Sequence, residues 1–204
     1  MKLPKIRELS EAVKSLLTRP YTSKFPYKPH TPYPSFRGKP KFDQDKCVGC
    51  LACEEVCPVD AIAHQDNTDQ EVPMRVMVHY TDTCIFCGCC EQACIANNEG
   101  IKLSHDWELS FFDRKNEGVE TIEKELQLCE VCGEPVACKD HLRWIAEKIG
   151  ELTYSSPTLY LSKLDNLGVI DPNVAAAAKE YGRSDRIKIL CARHRRESTL
   201  TTEE

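Results

Sequence analysis

Cys47-Val48-Gly49-Cys50-Leu51-Ala52-Cys53-Glu54-Glu55-Val56-Cys57-Pro58 and Cys84-Ile85-Phe86-Cys87-Gly88-Cys89-Cys90-Glu91-Gln92-Ala93-Cys94 carry one spacing, Cys-x2-Cys-x2-Cys-x3-Cys, twice. A 4Fe–4S cube needs four thiolates, one per iron, and three cysteines at x2 spacing fit one tight loop around three corners. In the two-cluster arrangement the fourth cysteine of each run goes to the other cluster. The expected ligand sets are therefore Cys47, Cys50, Cys53 and Cys94 for the first cluster, and Cys84, Cys87, Cys90 and Cys57 for the second. Zinc fits poorly to a repeated three-cysteine loop. Cys89 would break the spacing, so it is expected to be a non-ligand and a small buried hydrophobe. Ile95 stands where Pro58 stands in the first run.

Around the repeat, short strands are expected at Arg75 to Tyr80 and Ile101 to Ser104, giving a small α+β module over residues 42–104 with approximate two-fold symmetry. That module is acidic, with three basic and eleven acidic residues. Residues 1–41 are the opposite, with ten Lys/Arg against two Asp/Glu. They open with Ile6, Leu9, Val13, Leu16 and Leu17 at helical spacing, a helix that Pro20 stops. Pro20, Pro26, Pro29, Pro32, Pro34 and Pro40 then exclude helix and central strand. A basic amphipathic helix followed by an extended arm suits a membrane surface or a partner. Charge alone would hold the helix to an anionic surface by roughly 3 kcal/mol, less than the ~4 kcal/mol of a millimolar affinity. A partner is therefore expected to help.

Residues 105–204 are expected to be mostly helical. Pro135 opens a helix through Leu142, Ile145 and Ile149 to Gly150; Ser156-Pro157 opens a second, stopped at Gly168; Asp171-Pro172 opens a third through Ala175 to Ala178, stopped at Gly182. Two knuckles bracket this block: Cys129-Glu130-Val131-Cys132 and Cys191-Ala192-Arg193-His194. Cys129, Cys132, Cys191 and His194 suit a tetrahedral zinc, with Cys138 an alternative to His194 or a ligand of a third cluster.

The whole chain has 204 residues, 13 cysteines and a net charge of -5. No apolar run approaches the ~18 residues of a membrane span, and charges within Met1 to Ser10 argue against a secretory signal. Reduced, metal-binding cysteines are then expected rather than disulfides. No phosphate loop, dinucleotide fingerprint or nucleophile elbow occurs, so no catalytic site of its own is expected. His64, His79 and His105 read as surface or packing residues. Arg193, Arg195 and Arg196 read as a solvated face or protein contact, with no nucleic acid expected.

Phe36-Arg37-Gly38-Lys39-Pro40, the first cysteine run, Cys84-Ile85-Phe86-Cys87-Gly88 and Ile101-Lys102-Leu103-Ser104 together resemble the iron–sulfur subunit of formate hydrogenlyase and related membrane-bound, energy-converting NiFe hydrogenases. The same stretches are similar to the eight-iron subunit of respiratory complex I. The knuckles look like the C-terminal part of the hydrogenlyase type, where the last pair is usually two cysteines; His194 departs from this. The resemblance implies a peripheral subunit on the cytoplasmic side of the cell membrane. It would relay electrons between an upstream donor (formate dehydrogenase, a carbon monoxide dehydrogenase module or ferredoxin) and the NiFe hydrogenase small and large subunits, with the arm along membrane-side subunits. The other readings are a subunit of a complex I-like quinone oxidoreductase, or a soluble ferredoxin with a zinc-ribbon binding module.

Overall fold

The structure is a computed structural model and describes residues 5–19, 22–113, 117–170 and 187–200. The chain forms two units, Met1–Phe36 and Arg37–Glu204. In the first, α1 spans Ile6–Leu17, with the Glu8 carboxylate accepting from the Lys5 N–H at 3.1 Å to close its first turn. None of its residues is buried, and Leu16 is 85% exposed. Residues 22–36 contain no helix or strand, as their prolines require.

In the second unit, β1 (Pro40–Phe42) pairs antiparallel with β4 (Ile101–Leu103), joining the chain just before the first cysteine run to the chain just after the second. The approach is close at Gly38, where a Cβ would lie 2.5 Å from the Asp106 carbonyl oxygen. Each run ends in a short helix, α2 (Ala52–Glu55) and α3 (Cys89–Gln92). Between the runs, β2 (Ile62–Asn67) and β3 (Met74–Tyr80) form an antiparallel hairpin.

The hairpin is half of a larger sheet. β5 (Val119–Leu128) pairs with β3, and β6 (Pro135–Cys138) pairs with β5, giving the order β2-β3-β5-β6. Residues 105–204 thus begin with two strands that the expectation of a mostly helical part did not include, while helices make up most of what is described after them. Pro135 opens a strand, a position that needs no N–H in the ladder. The helix expected from Pro135 begins after it, as α4 (Lys139–Ile149). α5 (Pro157–Asn166) has Pro157 in its first turn, as expected. The helix expected from Asp171 to Gly182 lies outside the described residues. A helix at Ala192–Leu200 follows the second knuckle.

Strand β5 alternates as a half-buried strand must: Ile122, Lys124 and Leu126 are buried, whereas Thr121, Glu123 and Glu125 are exposed. On β3 the buried face carries Arg75, Met77 and His79. One core joins Cys47, Cys53, Ile62, Met77, Cys90, Ile101 and Ile122, so sheet and cysteine loops share their burial. No helix among the described residues is long and apolar enough to cross a membrane.

Candidate metal centres

The two cysteine runs adopt one backbone. Each has a left-handed residue two positions after its first cysteine: Gly49 (φ 71°) and Phe86 (φ 54°). Each has another directly after its second: Leu51 (φ 66°) and Gly88 (φ 82°). A third follows three positions after the fourth cysteine: Asp60 (φ 50°) and Asn97 (φ 55°). Glycine sits at the first of these places in one run and at the second in the other. Leu51 and Phe86 therefore carry strain of order 1–2 kcal/mol each, which the same loop shape imposes on both.

Two cavities result. The first is lined by Cys47, Cys50, Cys53 and Cys94. The second is lined by Cys57, Cys84, Cys87 and Cys90, with Cys89 beside them. The fourth cysteine of each run faces the cavity of the other, so the chain brings both expected sets together. The walls fit cubane clusters: apart from the thiols they are mostly apolar, and N–H groups point at sulfur. Ala61 N–H donates to Cys57 Sγ at 3.2 Å and Phe86 N–H to Cys84 Sγ at 3.4 Å. Burial pushes the Cys53 thiol up to about 12 and the Cys90 thiol to about 11, so thiolates here need the cationic charge of bound iron. Gly100 closes the first cavity from outside; a Cβ there would lie 3.1 Å from Cys94 Sγ and 3.1 Å from Cys47 Cα.

The first loop rests on cations. Arg75 and Lys124 are cross-strand partners, both buried. Arg75 makes a bidentate pair with Asp66, 2.7 Å on each side, and donates to the Gly49 carbonyl at 3.1 Å. Lys124 Nζ donates to the Gln44 carbonyl and, at 3.0 Å, to Asp140. Burial pushes Cys47 up, opposed in part by the Gly49 N–H and by Lys124. At the second loop, Arg37 donates to the Cys87 carbonyl at 2.9 Å. The N–H of Cys89 outweighs burial and lowers the Cys87 thiol below its usual range. His79 lines the second cavity, and burial, then Lys39, hold its imidazole below the ordinary range against the pull of Glu120.

The knuckles meet. The ligand atoms of Cys129, Cys132, Cys191 and His194 all lie within 4.8 Å of one another. His194 Nδ1 is 3.3 Å from Cys191 Sγ and 3.6 Å from Cys129 Sγ, and Cys132 and Cys191 sulfurs are 3.9 Å apart. A tetrahedron with metal–sulfur bonds of ~2.3 Å has edges of about 3.8 Å, so these four residues could hold a metal ion. At Cys129 burial opposes ionisation, but N–H groups of Cys132, Cys191 and Val131 prevail and bring the thiol down to about 6. The Glu130 carboxylate ties the two knuckles, accepting from Ile189 N–H at 2.9 Å.

Two expectations change. Cys138 does not join the knuckles: it is fully buried in β6, its thiol 3.5 Å from the Gly49 carbonyl beneath the first loop. Cys89 is exposed rather than buried: α3 puts Cys90 in the core and leaves Cys89 on the outer wall of the second cavity, beside Cys87. Sequence reasoning missed Arg75, Lys124 and His79. Their only signal was alternation on β3 and β5, and a charged residue at an inward position disguises that pattern.

A model for the 4Fe-4S binding domain matches residues 40–63. NADH-quinone oxidoreductase subunit I 2 of Geobacter metallireducens is 33% identical over 122 residues, which are 57% of this chain and 92% of that protein. NAD(P)H-quinone oxidoreductase subunit I of Gloeobacter violaceus is 30% identical over 47% of this chain and 46% of its own length. The chain spans about half of further relatives of the latter kind, such as that of Picosynechococcus, at 53%. Among solved structures, a chain of the membrane-bound sulfane sulfur reductase, an archaeal respiratory membrane complex, matches at 26% identity over 57% of this chain and 61% of that one, with a TM-score of 0.39. With nearly the whole of the Geobacter protein matched, this chain belongs to the family of NADH-quinone oxidoreductase subunit I.

Proposed function

We propose that the chain is an electron-transfer subunit carrying two 4Fe–4S clusters within a membrane-associated respiratory complex, where it relays electrons between a donor module and a NiFe hydrogenase module. The observation that carries the reading is the pair of cavities, each bounded by its four expected cysteines drawn from both runs, with Cys89 also on the wall of the second. Bound clusters would supply one-electron redox chemistry, tuned by burial and by hydrogen bonds to sulfur. The chain's own residues hold the loops and exclude water; because each run supplies a ligand to both cavities, neither pocket can shift without the other. The exposed apolar stripe of α1 and the basic charge of residues 1–41 support docking on membrane-side subunits, peripherally and on the cytoplasmic face. Cys129, Cys132, Cys191 and His194 would hold a structural zinc that closes the C-terminal part. An ion of this kind is worth ~10–16 kcal/mol in small peptides, comparable to a whole domain's ~5–15 kcal/mol.

The relatives favour a second reading of the same kind, a subunit of an NADH-quinone oxidoreductase-type complex. The extra length of this chain beyond the matched 57%, with its four-ligand site, favours the hydrogenase partner. Isolation of the intact complex decides between them. Co-purification of NiFe hydrogenase subunits, and about eight irons assignable to this chain, is the expected result. A complex without nickel but with quinone reductase activity would overturn the hydrogenase part. Fewer irons would overturn the cluster assignment.

A further inference from the structure

Strand β3 sends Met77 to the wall of the first cavity and His79, two positions on and on the same face, to the wall of the second. Among the described residues, three buried side-chain polar atoms lack a hydrogen-bond partner: Nδ1 and Nε2 of His79, and Oγ1 of Thr81. His79 is 0% exposed, so water does not satisfy it. Buried polar groups are almost always paired, and an N–H left without a partner is penalised by its full desolvation. The cavity that His79 faces is otherwise walled by cysteines and apolar side chains. What fills it must therefore offer an acceptor, and the sulfurs of a cubane cluster do.

We infer that the neutral imidazole of His79 donates an N–H hydrogen bond to a sulfur of the second cluster and thereby raises its reduction potential. The inference rests on the assignment of that cavity to a cluster. One-electron reduction adds a negative charge that spreads onto the cluster sulfurs, so a donor aimed at sulfur stabilises the reduced form more than the oxidised one. The first cluster has a methionine in the corresponding wall, which supplies no such donor. His79 is then a tuning residue and not a ligand, since five cysteines already line the second cavity, the four expected ligands and Cys89.

The test is pulsed EPR on the reduced, cluster-loaded full-length protein labelled with 15N-histidine. A weak 15N coupling on the second cluster is expected, far smaller than that of a directly ligated ring. Redox titration of His79→Leu should show the reduction equilibrium constant of the second cluster lowered roughly tenfold, about 59 mV for one electron. The first cluster should not move, and His79→Asn, which keeps an N–H donor, should recover much of the difference. A second cluster that is present in the wild type but shows no 15N coupling, or an unmoved midpoint in His79→Leu, overturns the role of His79. Should His79→Leu fail to assemble, the wild-type coupling alone decides. Absence of any second cluster signal, with iron near four per chain, would instead overturn the cluster assignment.

Discussion

Beneath the first cluster loop lie Arg75, Lys124 and Cys138, the last two contributed by strands β5 and β6 that follow residue 105. The second loop is held by its own half of the unit, through Arg37 on the Cys87 carbonyl and Glu91, which accepts from the Leu103 N–H at 3.2 Å. The loops share a backbone apart from which left-handed position is glycine and an added left-handed residue, Asn98, after the second run. Their surroundings differ: two buried cations hold backbone carbonyls at the first loop, and a buried imidazole with no hydrogen-bond partner among the described residues faces the second pocket. An internal repeat thus sets the shape of both loops, while the residues that distinguish their surroundings come from strands outside the two runs.

The largest difference expected is at the C-terminal ligands, which belong to neither pocket. Replacing Cys191 and His194 together by Ala should remove one zinc per chain and unfold the knuckles, while both clusters' irons stay; loss of iron instead would show that the knuckles serve a cluster. Next come the two glycines. A Cβ on Gly49 would lie 2.6 Å from Cys138 Sγ, at a φ of 71°. The same change at Gly88 meets only the tip of Leu103, at 3.2 Å. Gly88→Ala should cost about 1–2 kcal/mol for the left-handed backbone. Gly49→Ala should cost about 3 kcal/mol once overpacking is added, and should lose the first cluster before the second. Equal losses in thermal unfolding would show that the C-terminal strands do not clamp the first loop.

Smaller effects sharpen the electrostatic contrast. Lys124→Met should lower the first cluster's midpoint by on the order of 50 mV, from a Coulomb energy of ~1 kcal/mol at an effective dielectric near 20. The second cluster should stay within a few millivolts of its wild-type midpoint. The smallest effect is in pH. The Arg75 hydrogen bonds hold the Asp66 carboxyl below its usual range, against burial. A depressed folded value contributes stability that is present above the unfolded pKa and fades as pH falls through the folded one. Acid unfolding of Asp66→Asn should therefore be less steep below about pH 4, and the first cluster should be the one whose retention changes.

The grouping of the cysteines around two cavities was legible because the repeated spacing imposes the same loop on both runs. The strand at Val119–Leu128 was not, because Glu120, Glu123, Lys124, Glu125 and Leu126 are good helix formers and an inward lysine breaks the apolar alternation. Tertiary pairing with β3 decides the matter there. Cys138 looked like a ligand because it lies six positions after Cys132 in sequence. In space the β5–β6 pairing carries it away to the first loop, a displacement that spacing alone does not encode. His79 was passed over because a lone histidine in a strand has no pattern of its own; only its burial beside the cysteines of the second cavity distinguishes it.

Crossed ligation is the claim on which the rest depends, and Cys57→Ser tests it most directly. In this variant, iron content and EPR of the reduced protein should show the second cluster lost or altered, with the first retained, because Cys57 lies in the first run but faces the second cavity. Loss of the first cluster with the second intact would contradict the account.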